Sequence, residues 1–199
     1  MNKIIAFIAL VTMLTSVNAQ ENILSRVKTF EKDGPAYIIF PGAANIKGGV
    51  DNPNIDEVNS SAKVCRVERK KYQTGKIPAS SFVAVKTDKD AIKWKGVDFS
   101  KGATTLKVKV MSNAKSAHNI QIMLRKNGDP KSYVWSPLKL VISDGAWHEY
   151  KLDLSKAIAK KGEKPVGFYD FVAVHFRHKD KKNYVDGEVF YVDDIQLTE

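Results

Sequence analysis

Short runs rich in β-branched and aromatic residues, separated by turn sequences, constrain the fold of this chain more than any other feature. The clearest runs are TLKVKVM (105–111), NIQIMLR (119–125) and DFVAVHFR (170–177), and turn sequences such as DNPN (51–54) and NGDP (127–130) separate runs of this kind. Helical periodicity is almost absent, and only LSKAIAKKGEK (154–164) suggests a brief helical turn. The pattern predicts an all-β antiparallel sandwich or barrel.

Alternation within these runs separates an apolar side from a polar one. Successive side chains of a strand point to opposite faces, so residues two apart share a face. The residues that fall opposite the apolar positions include Lys107 and Lys109, Gln121 and Arg125, and His175 and Arg177. If the three strands lie in one sheet, this second face is a basic, hydrogen-bonding surface. The alternative is ordinary solvated charge, because any sheet face that meets water is polar.

The N-terminal residues are typical of a secretory signal peptide. Lys3 is followed by an apolar run to Leu14 and then by residues 17–19, which end in a small residue as a signal-peptide cleavage site does. We expect export, to the periplasm or beyond the cell, with cleavage near Ala19 that leaves 20–199 as a single domain. No later run is long and apolar enough to form a membrane anchor.

The charge of the chain favours an acidic partner. Lys and Arg total 32 against 22 Asp and Glu, a formal net charge of +10, and excess positive charge attracts nucleic acid, anionic lipid or acidic polysaccharide. We do not expect nucleic-acid binding, because the chain is exported and lacks a helix to enter a groove. The single cysteine, Cys65, lies between apolar neighbours and is predicted to be a buried hydrophobe.

Four segments together resemble a known family. They are VDNPNIDEVNSSAKVCRV (50–67), WKGVDFSKGATTLKVKVMSNAKSAHNIQIMLRKNG (94–128), DGAWHEYKLDLS (144–155) and VFYVDDIQLTE (189–199). Their order and spacing resemble the galactose-binding-like jelly rolls that serve as non-catalytic carbohydrate-binding modules in secreted polysaccharide-degrading systems. The resemblance covers nearly all of 30–199 and implies a jelly-roll β-sandwich of two antiparallel sheets that binds polysaccharide.

The same resemblance implies a structural calcium ion. In such modules calcium commonly ties the first strand to the last, and the matching positions here are Phe30-Glu31 and Asp193-Asp194-Ile195. Glu31 and Asp194 are the implied ligands, because calcium prefers carboxylate and carbonyl oxygens. Alternation predicts that Asp193 and Asp194 point to opposite faces. The alternative is that Asp194 bonds to backbone amides or to a lysine.

The candidate ligand-binding residues combine cations, hydrogen-bonding groups and aromatic rings. An aromatic ring stacks on the C–H face of a sugar, and arginine binds carboxylates or sulfates in a two-pronged geometry. A uronate-containing or sulfated glycan therefore suits this chain better than a neutral one. The set is Lys107, Lys109, Gln121, Arg125, Tyr133, Trp135, His175 and Arg177. Trp147 is expected in the core, whereas Trp94 is equally suited to core and rim.

Two alternatives remain open. A jelly-roll polysaccharide lyase would use Gln121, Arg125, His175 and Tyr133 for charge neutralisation and proton abstraction. A purely structural or protein-binding sandwich would use none of them. No carboxylate pair of a glycosidase, metal-binding histidine spacing or serine elbow is recognisable, so binding without catalysis is the leading prediction. The identity of the glycan, binding by the sheet face or by the loop rim, and the oligomeric state stay open.

Overall fold

The computed structural model describes residues 22–23, 37–38, 44–69, 81–86, 96–102, 105–126, 129–159, 162–178 and 187–198. The signal-peptide region, Glu31 and Trp94 lie outside these residues, so the predictions made on them are not tested. The strands are β1 (Asn22–Ile23), β2 (Tyr37–Ile38), β3 (Ala44–Asp51), β4 (Lys63–Arg69), β5 (Ser81–Lys86), β6 (Val97–Asp98), β7 (Thr105–Ser112), β8 (His118–Lys126), β9 (Asp129–Trp135), β10 (Lys139–Leu140), β11 (Trp147–Asp153), β12 (Ile158–Ala159), β13 (Phe168–Tyr169), β14 (Phe171–His178) and β15 (Val189–Thr198).

The strands form two large antiparallel sheets, as predicted. Sheet 1 has the order β11-β7-β15-β4-β3, with β1 also paired to β15. Sheet 2 has the order β12-β9-β8-β14-β5-β2, with β10 also paired to β8. A small pair, β13 with β6, lies apart from both.

The core lies between the two sheets and contains the apolar side of each alternating strand. Sheet 1 contributes Leu106, Val108 and Val110, and sheet 2 contributes Ile120, Ile122, Leu124, Val172, Val174 and Phe176. Cys65 is part of this core and is fully buried, which confirms the prediction that it acts as a small hydrophobe. Burial of this apolar area is the main favourable contribution to the stability of the sandwich.

Two short 3-10 helices that lie wholly within the described residues interrupt the strands. One spans Leu154–Lys156, at the start of the segment predicted to contain a helical turn. The other, Phe99–Lys101, was not predicted. In both, an aspartate precedes the helix and its side chain accepts a hydrogen bond from a serine backbone amide, so the turn is held by local capping that periodicity does not reveal. In the part of the chain described, no helix reaches the length and apolarity needed to cross a bilayer.

Candidate functional site

The solvent side of sheet 2 brings together six of the eight predicted ligand-binding residues. Arg125 on β8 lies opposite Phe171 on β14 and Tyr133 on β9, and residues opposite one another in an antiparallel sheet share a face. The same registers place the other predicted residues of these strands on that face. The six are Gln121, Arg125, Tyr133, Trp135, His175 and Arg177, and the surface they form is called the arginine face below.

Both arginines of this face lie against aromatic rings. The guanidinium carbon of Arg125 is 4.4 Å from the centroid of the Phe171 ring, and that of Arg177 is 4.4 Å from the Trp135 ring. Trp135 also meets Tyr133 edge-on, with centroids 6.0 Å apart. Stacking on a ring holds the planar guanidinium by its flat side. The ring contacts therefore help to fix the orientation of both guanidinium groups on a partly exposed part of the face.

The centre of the arginine face is buried, whereas its arginines and two large aromatic rings are partly exposed. His175 is only 5 % exposed, and its ring centroid is 4.8 Å from that of Trp135. Burial, together with the charge of Arg177, lowers the pKa of His175 to about 3. Gln121 is also buried, and its Nε2 donates to the Ser136 carbonyl at 2.7 Å. These two residues support the face from below and offer little surface to a ligand.

Lys107 and Lys109 lie on the other sheet. Both belong to β7, which is paired with β11 and β15 in sheet 1. The prediction of one shared face is wrong for these lysines, because alternation fixes the face of a residue within its strand but not the sheet that the strand joins. Lys109 has a different role there, since its Nζ lies 2.6 Å from the Asp194 carboxylate.

The aspartate pair sits at a bulge in β15. Asp193 is opposite Lys109 and Gln196 is opposite Lys107, so β15 contains one extra residue between these points. Asp194 adopts φ +43°, in the left-handed region that a bulge residue can require. The bulge breaks the alternation, and both carboxylates lie on the outer side of sheet 1, where Lys109 reaches Asp194. The prediction that the aspartates point to opposite faces is therefore wrong, and the alternative of a lysine partner for Asp194 is confirmed.

Asp193 is the less satisfied of the two carboxylates. It is 0 % exposed, and neither of its oxygens makes a well-formed hydrogen bond within the described residues. Burial, and next the charge of Asp194, raise the pKa of Asp193 to about 6, while the nearby Ser61 and Asn59 side chains act in the opposite direction. A buried carboxylate with weak partners is costly, whereas Asp194 has the Lys109 ammonium at 2.6 Å. No group of three or more ligand-type side chains forms within the described segments.

The loop 52–62 covers the outer side of sheet 1 beside Asp193. Trp147 is 2 % exposed, as predicted for a core residue, and its indole N–H donates to the Asn54 carbonyl at 2.7 Å and to the Asn52 side chain at 3.1 Å. Asp56 accepts hydrogen bonds from the backbone amides of Val58 and Asn59. Trp147, Val64 and Met111 pack beneath the loop with Val58. The loop therefore closes this side of sheet 1, and we call the closed surface the capped face.

A third polar cluster, which the sequence did not reveal, lies in the interior. The Glu188 carboxylate is 3.1 Å from His118 Nε2 and 3.9 Å from Arg69 Nε, and all three residues are buried. Arg69 also donates to the Phe176 carbonyl at 2.7 Å. Burial, and then the charge of Arg69, lower the pKa of His118 to about 4. With a pKa of about 4, His118 is neutral in the folded protein at neutral pH, although the Glu188 carboxylate acts in the opposite direction.

Solved structures with the same fold include carbohydrate-binding modules. The family 11 module from Clostridium thermocellum, in complex with a β-1,3-1,4-mixed-linked tetrasaccharide, has a TM-score of 0.51 at 14% identity and covers 89% of this chain and 95% of that one. The family 11 module of the cellulosomal cellulase Lic26A-Cel5E of the same organism gives 0.50 at 14% identity, with 89% and 94% covered. A family 29 module from Piromyces equi gives 0.47 at 8% identity, covering 89% and 88%.

Sequence comparison adds no family to this likeness. No protein-family model matches the chain, and a search of the curated proteins finds no significant match. The two family 11 structures nevertheless share the whole sandwich, since nearly the full length of each chain is covered. The resemblance noted in the sequence is thus confirmed at the level of the fold: the chain has the jelly-roll β-sandwich fold of carbohydrate-binding modules.

Proposed function

We propose that this protein binds polysaccharide without cleaving it, through the arginine face, and that it prefers acidic glycans. The observation that carries the proposal is the pair of arginines held 4.4 Å from aromatic rings, beside partly exposed Tyr133 and Trp135. Such a surface offers aromatic rings to the C–H faces of sugars and two-pronged donors to their carboxylates or sulfates. The net charge of +10 supports attraction of an anionic polymer.

The environment of His175 favours binding over a lyase reaction. A general base works best when its pKa lies near the working pH and when it reaches the substrate proton. The pKa of His175 is lowered to about 3, and its ring is buried beside Trp135. Gln121, the second residue assigned to a lyase, is tied to the Ser136 carbonyl. Neither group is well placed to serve the chemistry, which favours non-catalytic binding; Tyr133 and Arg125 are partly exposed, and the assay for unsaturated product tests whether they support a lyase reaction.

A structural calcium ion is part of the proposal, with Asp193 rather than Asp194 as its ligand in β15. The buried Asp193 carboxylate, which makes no well-formed hydrogen bond in the described part of the chain, fits a hard cation, whereas Lys109 already neutralises Asp194. Glu31 is retained as the proposed ligand from the N-terminal segment. The ion would stabilise the sandwich and take no part in chemistry. We expect calcium to raise the midpoint of thermal unfolding, a chelator to lower it, and Asp193→Asn to abolish the difference. An equal midpoint with calcium and with chelator would contradict this part of the proposal.

Export to the periplasm or the exterior also belongs to the proposal, since a polysaccharide ligand is met there. It rests on the N-terminal pattern of Lys3 followed by an apolar run and a small-residue exit. The N-terminal sequence of the mature protein, determined from the exported fraction, tests it. A start near residue 20 is expected.

Affinity electrophoresis tests the function directly. Native gels would contain polygalacturonate, alginate, a sulfated galactan or a neutral mixed-linked β-glucan, at low and at moderate salt. We expect retention in the acidic gels, weakened by salt, with no unsaturated product released. The double variant Arg125→Gln/Arg177→Gln should lose retention, while Lys47→Gln/Lys151→Gln, which removes the same charge from exposed positions of sheet 1, should keep it.

Each contrary result has a distinct meaning. No retention in any gel rejects glycan binding. Equal retention of the two double variants rejects the arginine face as the site. Retention by the neutral glucan alone keeps glycan binding and rejects the preference for acidic polymers.

A further inference from the structure

A cavity of about 260 Å³ lies at one end of the arginine face. It is lined in part by Lys126, Lys131, Ser132, Tyr133 and Tyr169. Tyr133 belongs to the arginine face as well, because it lies opposite Arg125. The cavity is therefore continuous with the proposed glycan-binding surface. Its volume is slightly below the range of roughly 300–1,000 Å³ typical of ligand pockets, so it suits a single sugar residue and not a length of polymer.

An irregularity in β9 opens this cavity. Arg125 is opposite Tyr133, but the next residue of β8, Lys126, is opposite Asp129, so 130–132 have no counterpart on β8. On its other edge β9 pairs with β12 only at Val134 and Trp135. The stretch 130–132 thus leaves the regular ladder on both sides within the described residues. Strand irregularities of this kind are frequent beside binding sites, where they redirect side chains.

The cavity is lined by three lysines that form no ion pair with a described carboxylate. The ammonium of Lys126 lies 5.2 Å from the centroid of the Tyr169 ring, and a Cβ on Gly167 would be 3.6 Å from it. Lys131 and Lys164 also line the cavity. Among the described residues, none of the three lysines has a carboxylate within ion-pair distance.

The carboxylates of the cavity do not neutralise this charge. Asp129 accepts a hydrogen bond from the backbone amide of Lys131 at 2.9 Å, which caps its own turn. Glu163 is exposed to solvent. Three lysines facing two carboxylates that form no ion pair with them make a site of net positive charge, next to two tyrosine rings and a serine hydroxyl. A sugar residue with one anionic substituent matches this chemistry.

We propose that this cavity is an end subsite of the arginine face, which takes the carboxylate or sulfate of one acidic sugar residue. Lys126, fixed over Tyr169, supplies the central charge, with Lys131 and Lys164 at the rim. Ser132 and Tyr133 offer hydroxyls to the sugar. The inference rests on the proposed function, because the cavity receives the residue that follows the glycan segment bound along the face.

Calorimetric titration of the full protein tests the subsite with three defined probes. The probes are trigalacturonate, the same trisaccharide with its carboxylates reduced to alcohols, and a sulfated galactose trisaccharide. We expect Lys126→Gln/Lys131→Gln/Lys164→Gln to weaken binding of at least one anionic trisaccharide tenfold or more. The control Lys47→Gln/Lys115→Gln/Lys151→Gln, which removes equal charge from exposed positions elsewhere, should weaken it less than threefold. The probe that is affected identifies the anionic group.

A second readout keeps the test valid if the triple variant does not fold. Trigalacturonate should shift the backbone amide NMR signals of 131–133 and 163–164 in the wild-type protein. Lys131 is exposed, so the single substitution Lys131→Glu should leave the fold intact and reduce the affinity for trigalacturonate at least threefold. The subsite is overturned if the cavity variant and the control variant bind the trisaccharides with equal affinity and these amide signals do not shift. In that case retention of polymers by the arginine face would still support the proposed function. Absence of binding to every trisaccharide and every polymer overturns the proposed function together with the subsite.

Discussion

The capped face and the arginine face are the outer sides of two sheets in one sandwich, yet their polar groups are satisfied differently. On sheet 1, cations meet carboxylates: Lys109 pairs with Asp194 and Arg66 pairs with Glu68, each at 2.6 Å. The loop 52–62 then closes the surface over Trp147. On sheet 2, the two arginines lie on aromatic rings and keep partial exposure. The described contacts therefore differ: cations of the capped face contact carboxylates, whereas the arginines of the arginine face contact aromatic rings and stay partly exposed.

The largest effect should come from removing the tryptophan of the capped face. Trp147→Ala deletes a buried side chain and leaves the Asn54 carbonyl without its indole donor. We expect the free energy of unfolding to fall by about 3–5 kcal/mol, as measured by urea denaturation. A loss below about 1 kcal/mol would show that the loop does not depend on this residue.

Breaking the ion pair beneath the loop should have the next largest effect. Lys109→Met leaves Asp194, which is 1 % exposed, without its cation, and we expect a loss of about 3 kcal/mol. The double variant Lys109→Met/Asp194→Asn should recover part of it, since asparagine tolerates the left-handed backbone. The matched control is Lys63→Met, whose partner Asp51 is largely exposed and whose loss should stay below about 1 kcal/mol. Equal losses for the two lysine variants would remove the contrast between buried and exposed pairs.

Acidification should act mainly through sheet 2, which contains both histidines with lowered pKa. The pKa of His118 is about 4 and that of His175 about 3, against an ordinary value of about 6.5. Below pH 6.5 these two residues bind more protons in the unfolded chain than in the folded one, so their contribution to stability falls by about 2 kcal/mol per histidine between pH 7 and pH 5. Asp193, whose pKa is raised to about 6, binds its proton in the folded state over the same interval and offsets about 1 kcal/mol of that loss. Among the described residues, His118 is faced by Arg69, Ser116, His178 and Glu188. His175 is faced by Gln121, Trp135 and Arg177.

The variant His175→Phe separates the two contributions. It should remove about half of the loss that the two histidines cause, as measured by denaturation at both pH values. An unchanged pH dependence would show that His175 is protonated in the folded protein.

The smallest effect on stability, but a large one on binding, is expected for the tryptophan of the arginine face. Trp135 is partly exposed and lies at the surface of the sheet, so Trp135→Ala should cost about 1 kcal/mol, near the middle of the distribution for point variants. The same change removes the ring under Arg177 and should abolish retention in acidic gels. A loss of stability as large as that of Trp147→Ala would mean that the two faces are not specialised as described.

Alternation within strands predicted the arginine face but not the assignment of strands to sheets. Arg125, His175 and Arg177 were placed correctly because β8 and β14 are neighbours. Lys107 obeys the same alternation and still lies on sheet 1, since pairing partners are decided by contacts distant in sequence. No spacing in the sequence groups the lysines that line the cavity, because they are brought together beside an irregular stretch of β9.

The bulge in β15 can be recognised in the sequence from the spacing of its apolar residues. The core residues of this strand are Phe190, Val192, Ile195 and Leu197, so the spacing of two changes to three between Val192 and Ile195. This change of period marks one extra residue and places both aspartates within the interruption. Reading the apolar spacing before assigning faces would have predicted that Asp193 and Asp194 lie close together.

The position of β15 in the middle of sheet 1 also governs how the protein can acquire its structure. β4 and β7 flank β15 and are not paired with each other, so neither half of this sheet is joined to the other until 189–198 has been synthesised. The paired residues that join them lie between 78 (190 − 112) and 93 (198 − 105) positions apart on one side and more than a hundred apart on the other. Such distant pairing makes folding slow, on the order of milliseconds to seconds. The nascent chain therefore stays open until this strand emerges, which is the condition in which an unfolded polypeptide can be threaded across a membrane.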